Sequence, residues 1–508
     1  DALTSTSPLR VGLSATQRPL EDIARFLGGM NSDGTPRPVT WIDAGMRRSM
    51  DLEVTASVED MTHLRRADEL TPSIWPSVYE TLLNLIEQHE STLIFANSRR
   101  LVERLAVEIN RLAGAPLVRA HHGSVSREER HRIEEDLKAG RLPGLVATAS
   151  MELGIDVGAI DLVCQVEAPF SVTSGLQRVG RAGHLVRATS VGRMIPKTRA
   201  DLLVMAAMSR AMLRAEISAV RMPRCPLDVL AQQIVAMVAM DEWTVDGLYD
   251  RIRRAAPYAD LPRESYLEVL ELLAGRYRTP AAPALRPRIS WERSTGRLSS
   301  LPGSRHAVLL NGGAIPNTGQ YAMVLEDRTT RIGELDEEFV FERRLGETFL
   351  LGTGCWRILD VTNDRVIVAP ADVQEGIMPF WKGEGPGRDP EFGERFGAFL
   401  RTCEAQLEDR EFERWVAADC ALNTAAAKNV AQYLREQQER GGAIPNDRRI
   451  LIDVFRNETG DPRLAVISTF GRTFHLAFLL GLQRVLREKG HTTLEAITSG
   501  DGILIRPG

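Results

Sequence analysis

Two arginines in the segment QRVGRAGH, residues 177–184, have the type and spacing to act on phosphate groups. Arg178 and Arg181 are three positions apart, the first within and the second directly after a predicted helix at 173–180, so at helical spacing both are expected on one face. Two guanidinium groups on one face can stabilise the charge that develops on a transferring phosphoryl group. An isolated pair of this kind is more often solvated surface, so its interpretation depends on its companions in the chain.

Two other segments combine an apolar strand with small polar residues at its end. In LIFANSRR, 93–100, Asn97 and Ser98 can cap the next helix, and a helix N-terminus favours a phosphate. In AHHGSVSREER, 120–130, Gly123 permits close backbone approach and is flanked by a histidine and by serine hydroxyls. Each segment alone is more readily explained as an ordinary strand-to-helix connection.

Two further segments complete an ordered series along the chain. RVGLSAT, residues 10–16, predicts a short buried strand that ends in a small polar turn. VATASMELGIDV, residues 146–157, places the Thr148 hydroxyl after a buried strand and a glycine-containing turn shortly after it. The fixed order of all these segments carries more information than any one of them.

The elements that must position these residues alternate between strand and helix. Strands are predicted at 92–96, 116–120, 144–148 and 160–166, and helices at 74–89, 99–113, 126–138, 150–154 and 173–180. Such alternation is typical of a parallel sheet with helices on both faces, so the predicted fold class is α/β.

The pattern changes after residue 190. Residues 199–220 and 226–275 are predicted helical, and the turn around Trp243 is typical of a winged-helix module, in which this tryptophan would be core. The later regions are a proline-rich linker at 279–287, short β-runs suggesting a small barrel or curled sheet at 288–378, helices at 388–440 and mixed α/β structure at 447–508.

Length and composition bound the class of protein. A chain of 508 residues with 43% hydrophobic residues predicts a globular protein of three or four domains. No apolar run is long enough for a membrane helix. Five scattered cysteines without a CxxC pair suit a reducing cytoplasm and argue against a zinc ribbon. We expect no bound metal here, and the net charge of −5 means that any basic surface must be local.

The ordered motifs resemble motifs III to VI of superfamily 2 DEAD/H-type helicases. The phrases SATQRPLEDIARFLGG, HHGSVSREER and QRVGRAGH are similar to the Lhr, or large helicase-related, family, and so are GTGCWRILDV at 352–361 and MPFWKGE at 378–384. The resemblance implies four parts: the end of a first RecA-like domain (1–45), a second RecA-like domain (46–195), a winged helix (196–285) and an Lhr-type C-terminal domain (286–508).

The resemblance also implies roles for individual residues. Ser14 and Thr16 would couple ATP hydrolysis to nucleic-acid contact. The residues implied to line the phosphates of the loading strand are Asn97, Ser98, His122, Gly123 and Thr148. The residues implied to face the nucleotide are Gly154, Asp156, Gln177, Arg178 and Arg181, the last three as catalytic groups. Many superfamily 2 proteins have Arg where this chain has His184, which leaves open whether Arg181 alone is the arginine finger.

Two tryptophans are candidates for stacking on bases. Trp356 and Trp381 lie in the β-rich region, and an exposed aromatic ring over a single strand contributes about 1–3 kcal/mol per base. A core position in that region is an equally good interpretation of each residue.

An ATP motor also needs a GxxxxGK[ST] loop and an acidic Mg²⁺ site, and the printed sequence contains neither before motif III. We therefore expect that this chain alone does not hydrolyse ATP, whereas a parent carrying the upstream lobe uses ATP and Mg²⁺. By resemblance the parent tracks 3′-to-5′ on single-stranded DNA and unwinds DNA or RNA–DNA duplexes in DNA repair. The alternatives are a non-catalytic nucleic-acid-binding module and an RNA helicase.

Overall fold

The structure, a computed structural model of the 508-residue chain, resolves into two units that are described separately. One unit combines residues 1–44 with 219–382, and the other combines 45–218 with 383–508. The residues that the structure describes are 8–14, 17–43, 49–64, 72–122, 127–152, 160–183, 189–276, 286–312, 320–327, 331–336, 340, 343–351, 354–362, 365–371, 387–456, 460–489 and 494–507.

The strands and helices are numbered in chain order. The strands are β1 (Met50–Val54), β2 (Thr92–Phe95), β3 (Val118–His121), β4 (Gly144–Ala147), β5 (Leu162–Val166), β6 (Ser190–Ile195), β7 (Trp243–Thr244), β8 (Ile289–Glu292), β9 (Arg297–Ser300), β10 (Gln320–Leu325), β11 (Arg331–Asp336), β12 (Thr348–Leu351), β13 (Gly354–Val361), β14 (Arg365–Pro370), β15 (Leu451–Arg456), β16 (Pro462–Ile467), β17 (Leu494–Thr498) and β18 (Gly502–Pro507). The helices are α1 (Leu20–Gly28), α2 (Trp75–Glu87), α3 (Arg99–Ala113), α4 (Arg127–Lys138), α5 (Val172–Val179), α6 (Arg199–Leu213), α7 (Leu227–Met240), α8 (Val245–Ile252), α9 (Arg263–Leu273), α10 (Ser304–Leu310), α11 (Pro390–Gln406), α12 (Phe412–Cys420), α13 (Thr424–Gly441) and α14 (Arg472–Glu488).

The first six strands form a parallel sheet in the unit made by 45–218 and 383–508. Their order is β1-β6-β5-β2-β4-β3, and every neighbouring pair is parallel. Each residue of β2, β4 and β5 is buried, so both faces of the sheet are covered, which explains their continuous apolar sequences. The α/β prediction is confirmed. The predicted helix at 150–154 is instead a short 3₁₀ turn, Ala149–Met151.

The helices α11, α12 and α13 share the hydrophobic core of this sheet. One continuous cluster of buried side chains runs from Leu52 to Met212 and on from Phe392 to Ile444. Polar contacts reinforce the packing: the Arg210 Nε donates to Asp419 Oδ2 at 2.7 Å. The expected C-terminal domain, 286–508, is therefore divided, because its helical part packs on the second RecA-like sheet and its β-rich part groups with the other unit.

Asn429 on α13 is expected to contribute strongly to the stability of this packing. Its side chain is 1% exposed, accepts from the Met61 N–H at 2.8 Å and donates to the Glu59 carbonyl at 2.9 Å. We expect Asn429→Ala to lower the free energy of unfolding by about 2–3 kcal/mol, since both backbone groups lose their partner. Urea unfolding measures this loss, and Lys428→Ala, an exposed change on the same helix, is the control. Equal midpoints for the two variants would contradict the prediction.

The C-terminal part of the same unit is a four-stranded antiparallel sheet with one helix. The strand order is β15-β16-β18-β17. Val466, Ile503 and Ile505 on the sheet are buried together with Leu479 on α14. This agrees with the mixed α/β structure predicted for 447–508.

The other unit contains a winged helix. Helices α7, α8 and α9 pack with a three-stranded sheet of order β7-β9-β8, and Ile289 and Leu298 of the β8–β9 hairpin belong to the same buried cluster as the helices. The expected boundary at 285 therefore falls inside the module, because the sequence of the hairpin was attributed to the next domain. Trp243 packs against this cluster and its Nε1 donates to the Met237 carbonyl at 3.3 Å, as expected for a core residue.

The β-rich region forms a five-stranded sheet of order β11-β10-β14-β13-β12. Only β10 and β14 pair in parallel. Among the described residues β11 and β12 are edge strands, so this part is an open sheet and not a closed barrel. In the part of the chain that the structure describes, no helix is long and apolar enough to cross a membrane.

Candidate nucleotide and nucleic-acid interface

Most of the predicted phosphate-binding residues follow strands at one edge of the parallel sheet. Asn97 and Ser98 come directly after β2, His122 after β3 and Thr148 after β4. These three strands are neighbours in the order β2-β4-β3, so their carboxyl ends lie side by side. Ligands of open parallel sheets bind outside such an edge. The fold thus brings together residues that are up to 51 positions apart in the sequence.

Asn97 and Ser98 have different structural tasks at this edge. The Ser98 hydroxyl accepts from the Leu101 N–H at 3.2 Å and caps α3, so the ordinary cap interpretation holds for it. The Asn97 Nδ2 donates to the Ala168 carbonyl at 2.8 Å, which joins the loop after β2 to the loop after β5. Both side chains are half-buried.

The two histidines after Ala120, His121 and His122, contact different side chains. The Nδ1 of His121 lies 2.9 Å from the Ser150 hydroxyl and its Nε2 lies 3.2 Å from Glu134, and burial lowers the pKa of this imidazole. His122, 5% exposed, has its Nε2 2.7 Å from a Glu103 carboxylate oxygen. His122 is thus fixed by an acid of α3.

Thr148 begins a tight turn that is tied to β3. Its backbone N–H donates to the His121 carbonyl at 3.3 Å, and its hydroxyl is 3.4 Å from that of Ser150. The Thr148 side chain is half-buried and lies at the edge where a strand of phosphates is predicted to run.

Arg178 does not project from the surface beside Arg181, and its nucleotide-facing role stays a prediction. Its side chain is 1% exposed and points into the lobe. The Nε donates to Glu152 at 2.9 Å, and Nη1 donates to Gln165 at 2.9 Å and to Asn97 at 3.1 Å. The guanidinium also lies 5.2 Å from the ring centre of Phe95. Arg178 therefore connects the turn after β4, the loop after β2 and the strand β5 to α5.

Arg181 lies past the end of α5, and its phosphate-facing role stays a prediction. The helix ends at Val179, so the predicted i, i+3 relation does not place the two guanidinium groups on one helix face. The Arg181 Nη2 donates to the Glu152 carbonyl at 2.9 Å, and the residue is half-buried. Gln177 is half-buried on the last turn of α5.

Several predicted residues lie outside the described part of the chain. These are Thr16, Gly123, Gly154, Asp156, Trp381 and His184. Ser14 is described and exposed, within the unit that contains the winged helix. The roles predicted for all seven stay predictions.

Trp356 is half-buried in the β-rich sheet. It lies on β13 opposite Phe349 of β12 and packs against the buried cluster of that sheet. This placement agrees with the structural interpretation of Trp356, and stacking on a base stays a prediction for its accessible part.

Sequence reasoning missed Glu152 and Gln165. Glu152 follows the 3₁₀ turn and accepts from Arg178, and Gln165 lies inside β5 with 2% exposure. A polar residue within an otherwise apolar buried strand needs a hydrogen-bonding partner, so Gln165 was a signal that could have been used. Glu152 had no comparable signal, because acids are common at the ends of turns.

Asp201 joins the loops after β5 and β6, and its titration gives a pH prediction. Its carboxylate accepts from the Ala168 N–H and the Lys197 N–H, each at 3.0 Å, and burial raises its pKa to about 6 from an ordinary 3.8. A raised folded-state pKa means that this stabilising contribution is complete below about pH 4 and is lost as the pH rises through about 6.

We therefore expect the wild type to lose stability relative to Asp201→Asn between about pH 4 and about pH 7, by up to about 3 kcal/mol. Urea midpoints of both proteins across this range measure the difference. A difference that does not vary with pH would show that Asp201 titrates as an ordinary carboxyl.

Comparison with known proteins assigns the family. The profile "Large helicase-related protein, winged helix domain" matches residues 210–378, and "Helicase conserved C-terminal domain" matches residues 77–185. The chain is 41% identical over its full length to "Lhr helicase/ probable uracil glycosylase" of Mycolicibacterium smegmatis and covers 35% of that protein. The chain belongs to the Lhr family. Both the winged helix and the second RecA-like sheet described above are thus the domains of an Lhr-type superfamily 2 helicase.

Other Lhr proteins extend this comparison. "ATP-dependent helicase Lhr-Core protein 2" of Thermococcus barophilus is 32% identical to this chain over 88% of the chain's length, and the match covers 51% of the Thermococcus protein. The solved structure of Mycobacterium smegmatis helicase Lhr bound to ssDNA and AMP-PNP matches with a TM-score of 0.79 and 39% identity, over 98% of this chain and 59% of that one. This Lhr-family chain therefore spans between about a third and three fifths of the length of these three relatives.

Proposed function

We propose that this Lhr-family chain is the part of an ATP-dependent helicase that holds the loading strand and supplies Arg181 to the ATP site. One observation carries the proposal: the turn that begins with Thr148 at the sheet edge ends at Glu152, whose carbonyl accepts from Arg181. The strand-facing edge is thus linked to the candidate arginine finger by one short turn and one hydrogen bond. An arginine that approaches the transferring phosphoryl group contributes about 10³–10⁵-fold to hydrolysis in related chemistry.

ATP and Mg²⁺ would be bound mainly by the upstream lobe of the parent. Arg181 suits a triphosphate because a guanidinium neutralises phosphate charge. Mg²⁺ prefers several oxygen ligands, and among the described residues no group of three His, Cys, Asp or Glu side chains is placed to hold a metal. The printed sequence lacks GxxxxGK[ST], so we infer that residues 1–508 alone do not hydrolyse ATP.

The substrate follows from the groups at the sheet edge. Hydroxyl and amide side chains suit the phosphates of a single strand, which carry no sequence information. We propose single-stranded DNA as the loading strand, 3′-to-5′ movement, and unwinding of DNA or RNA–DNA duplexes in DNA repair. The solved Lhr relative with ssDNA and AMP-PNP supports the ligand types.

Strand displacement by the protein with its upstream lobe restored tests this proposal. We expect ATP-dependent unwinding of duplexes with a 3′ single-stranded DNA tail, and Thr148→Ala is expected to raise the DNA concentration for half-maximal activity on the order of tenfold. Thr402→Ala is the control, because its hydroxyl bonds only within α11 in the contacts described, to Ala398 at 2.9 Å. Unwinding only from 5′ tails, or only from an RNA loading strand, would contradict the polarity or the DNA preference.

A further inference from the structure

The short segment from Thr148 to Glu152 is a hydrogen-bonded turn that is tied to β3. At its start the Thr148 N–H donates to the His121 carbonyl of β3, and within the turn the Glu152 N–H donates to the Ala149 carbonyl at 3.0 Å. Met151, in the middle, is 1% exposed. Because the turn is anchored in the core, a displacement at one end is transmitted to the other.

Glu152 is the point at which this turn contacts α5 and the residues after it. Its Oε2 accepts from the Ser174 hydroxyl and from the Arg178 Nε, each at 2.9 Å, and its backbone carbonyl accepts from Arg181. The carboxylate side chain is 15% exposed. One residue therefore holds α5 through its side chain and Arg181 through its backbone.

We propose that Glu152 is a positioning residue that sets Arg181 according to the strand contact at Thr148. This inference rests on the proposed function. When the strand occupies the edge, the turn takes a defined position, and the carbonyl and carboxylate of Glu152 carry that position to Arg181 and to α5. Nucleic acid then stimulates ATP hydrolysis through contacts within the second RecA-like lobe, in addition to the coupling predicted for Ser14 and Thr16.

The expected result is a loss of stimulation without a loss of binding. A misplacement of a catalytic group by an ångström lowers a rate on the order of a hundredfold. In the protein with its upstream lobe, Glu152→Gln is expected to lower the DNA-stimulated kcat for ATP on the order of tenfold or more. The DNA concentration for half-maximal stimulation and the KM for ATP are expected to stay within about threefold of the wild type.

Ser174→Ala keeps the test decisive if Glu152→Gln does not fold. It removes one hydrogen bond to the carboxylate and leaves the buried charge pair intact, and a smaller loss of the same kind is expected. Ser209→Ala is the matched control: this buried hydroxyl bonds to the Ala206 carbonyl at 3.0 Å and to that of Cys420, and contacts neither arginine. If Ser174→Ala and Ser209→Ala give the same stimulated kcat, Glu152 is only structural and the proposal is wrong. If the wild type shows no DNA-stimulated hydrolysis, the proposed function itself fails.

Discussion

Replacing Arg181 by alanine is expected to lower DNA-stimulated ATP hydrolysis about 10³-fold or more in the protein with its upstream lobe restored. The physical reason is the loss of a cation that stabilises charge on the transferring phosphoryl group. Arg181 is half-buried, and its Nη2 donates to the Glu152 carbonyl at 2.9 Å. Steady-state hydrolysis with and without single-stranded DNA measures the effect.

Two variants sharpen this prediction. Arg141→Ala is the control, since Arg141 is 62% exposed and pairs only with Asp136 in the contacts described. His184→Ala addresses whether Arg181 acts alone: a loss as large as that of Arg181→Ala would show that the two residues share the role. Retention of more than about a tenth of the activity by Arg181→Ala would contradict its assignment as the arginine finger.

Replacing Arg178 by alanine is expected to lower the free energy of unfolding by about 3–5 kcal/mol, the cost of leaving a buried charge without its partner. The Glu152 carboxylate, 15% exposed, would lose the guanidinium, and Gln165 and Asn97 would lose a donor. Burial lowers the pKa of Arg178, while the Glu152 carboxylate opposes that shift. Urea unfolding of residues 1–508 measures the effect without any need for activity.

The double variant Arg178→Gln with Glu152→Gln separates the charge pair from the packing. We expect it to be more stable than either single variant, because no uncompensated charge is then buried. Arg141→Ala is again the control and is expected to change stability by less than about 1 kcal/mol, as for other exposed ion pairs. A loss of under about 1 kcal/mol for Arg178→Ala would show that Arg178 is not the connection described here.

The sequence predicted the parallel sheet well, because β2, β4 and β5 are apolar throughout and alternate with amphipathic helices. It also placed the predicted phosphate-binding residues at strand ends, which the topology then brings to one edge. The grouping of α11–α13 with this sheet could not be predicted, since it depends on contacts between residues such as Asn429 and Met61, 368 positions apart.

The two arginines show the limit of spacing arguments. Arg178 and Arg181 are three positions apart in the sequence, but α5 ends between them, and Arg178 is buried in the core whereas Arg181 is half-buried. Spacing alone cannot locate a helix end to within a residue or two. The acid that fixes both, Glu152, lies in a different segment and is recognisable only from the folded chain.

The most direct test of the account is ATP hydrolysis by residues 1–508 and by the same chain with its upstream lobe restored, each with and without single-stranded DNA. The account predicts hydrolysis only by the restored protein, with stimulation by DNA. Hydrolysis by residues 1–508 alone would contradict the assignment of ATP and Mg²⁺ binding to the upstream lobe. A restored protein that binds ATP but is silent with both DNA and RNA would contradict the helicase function itself.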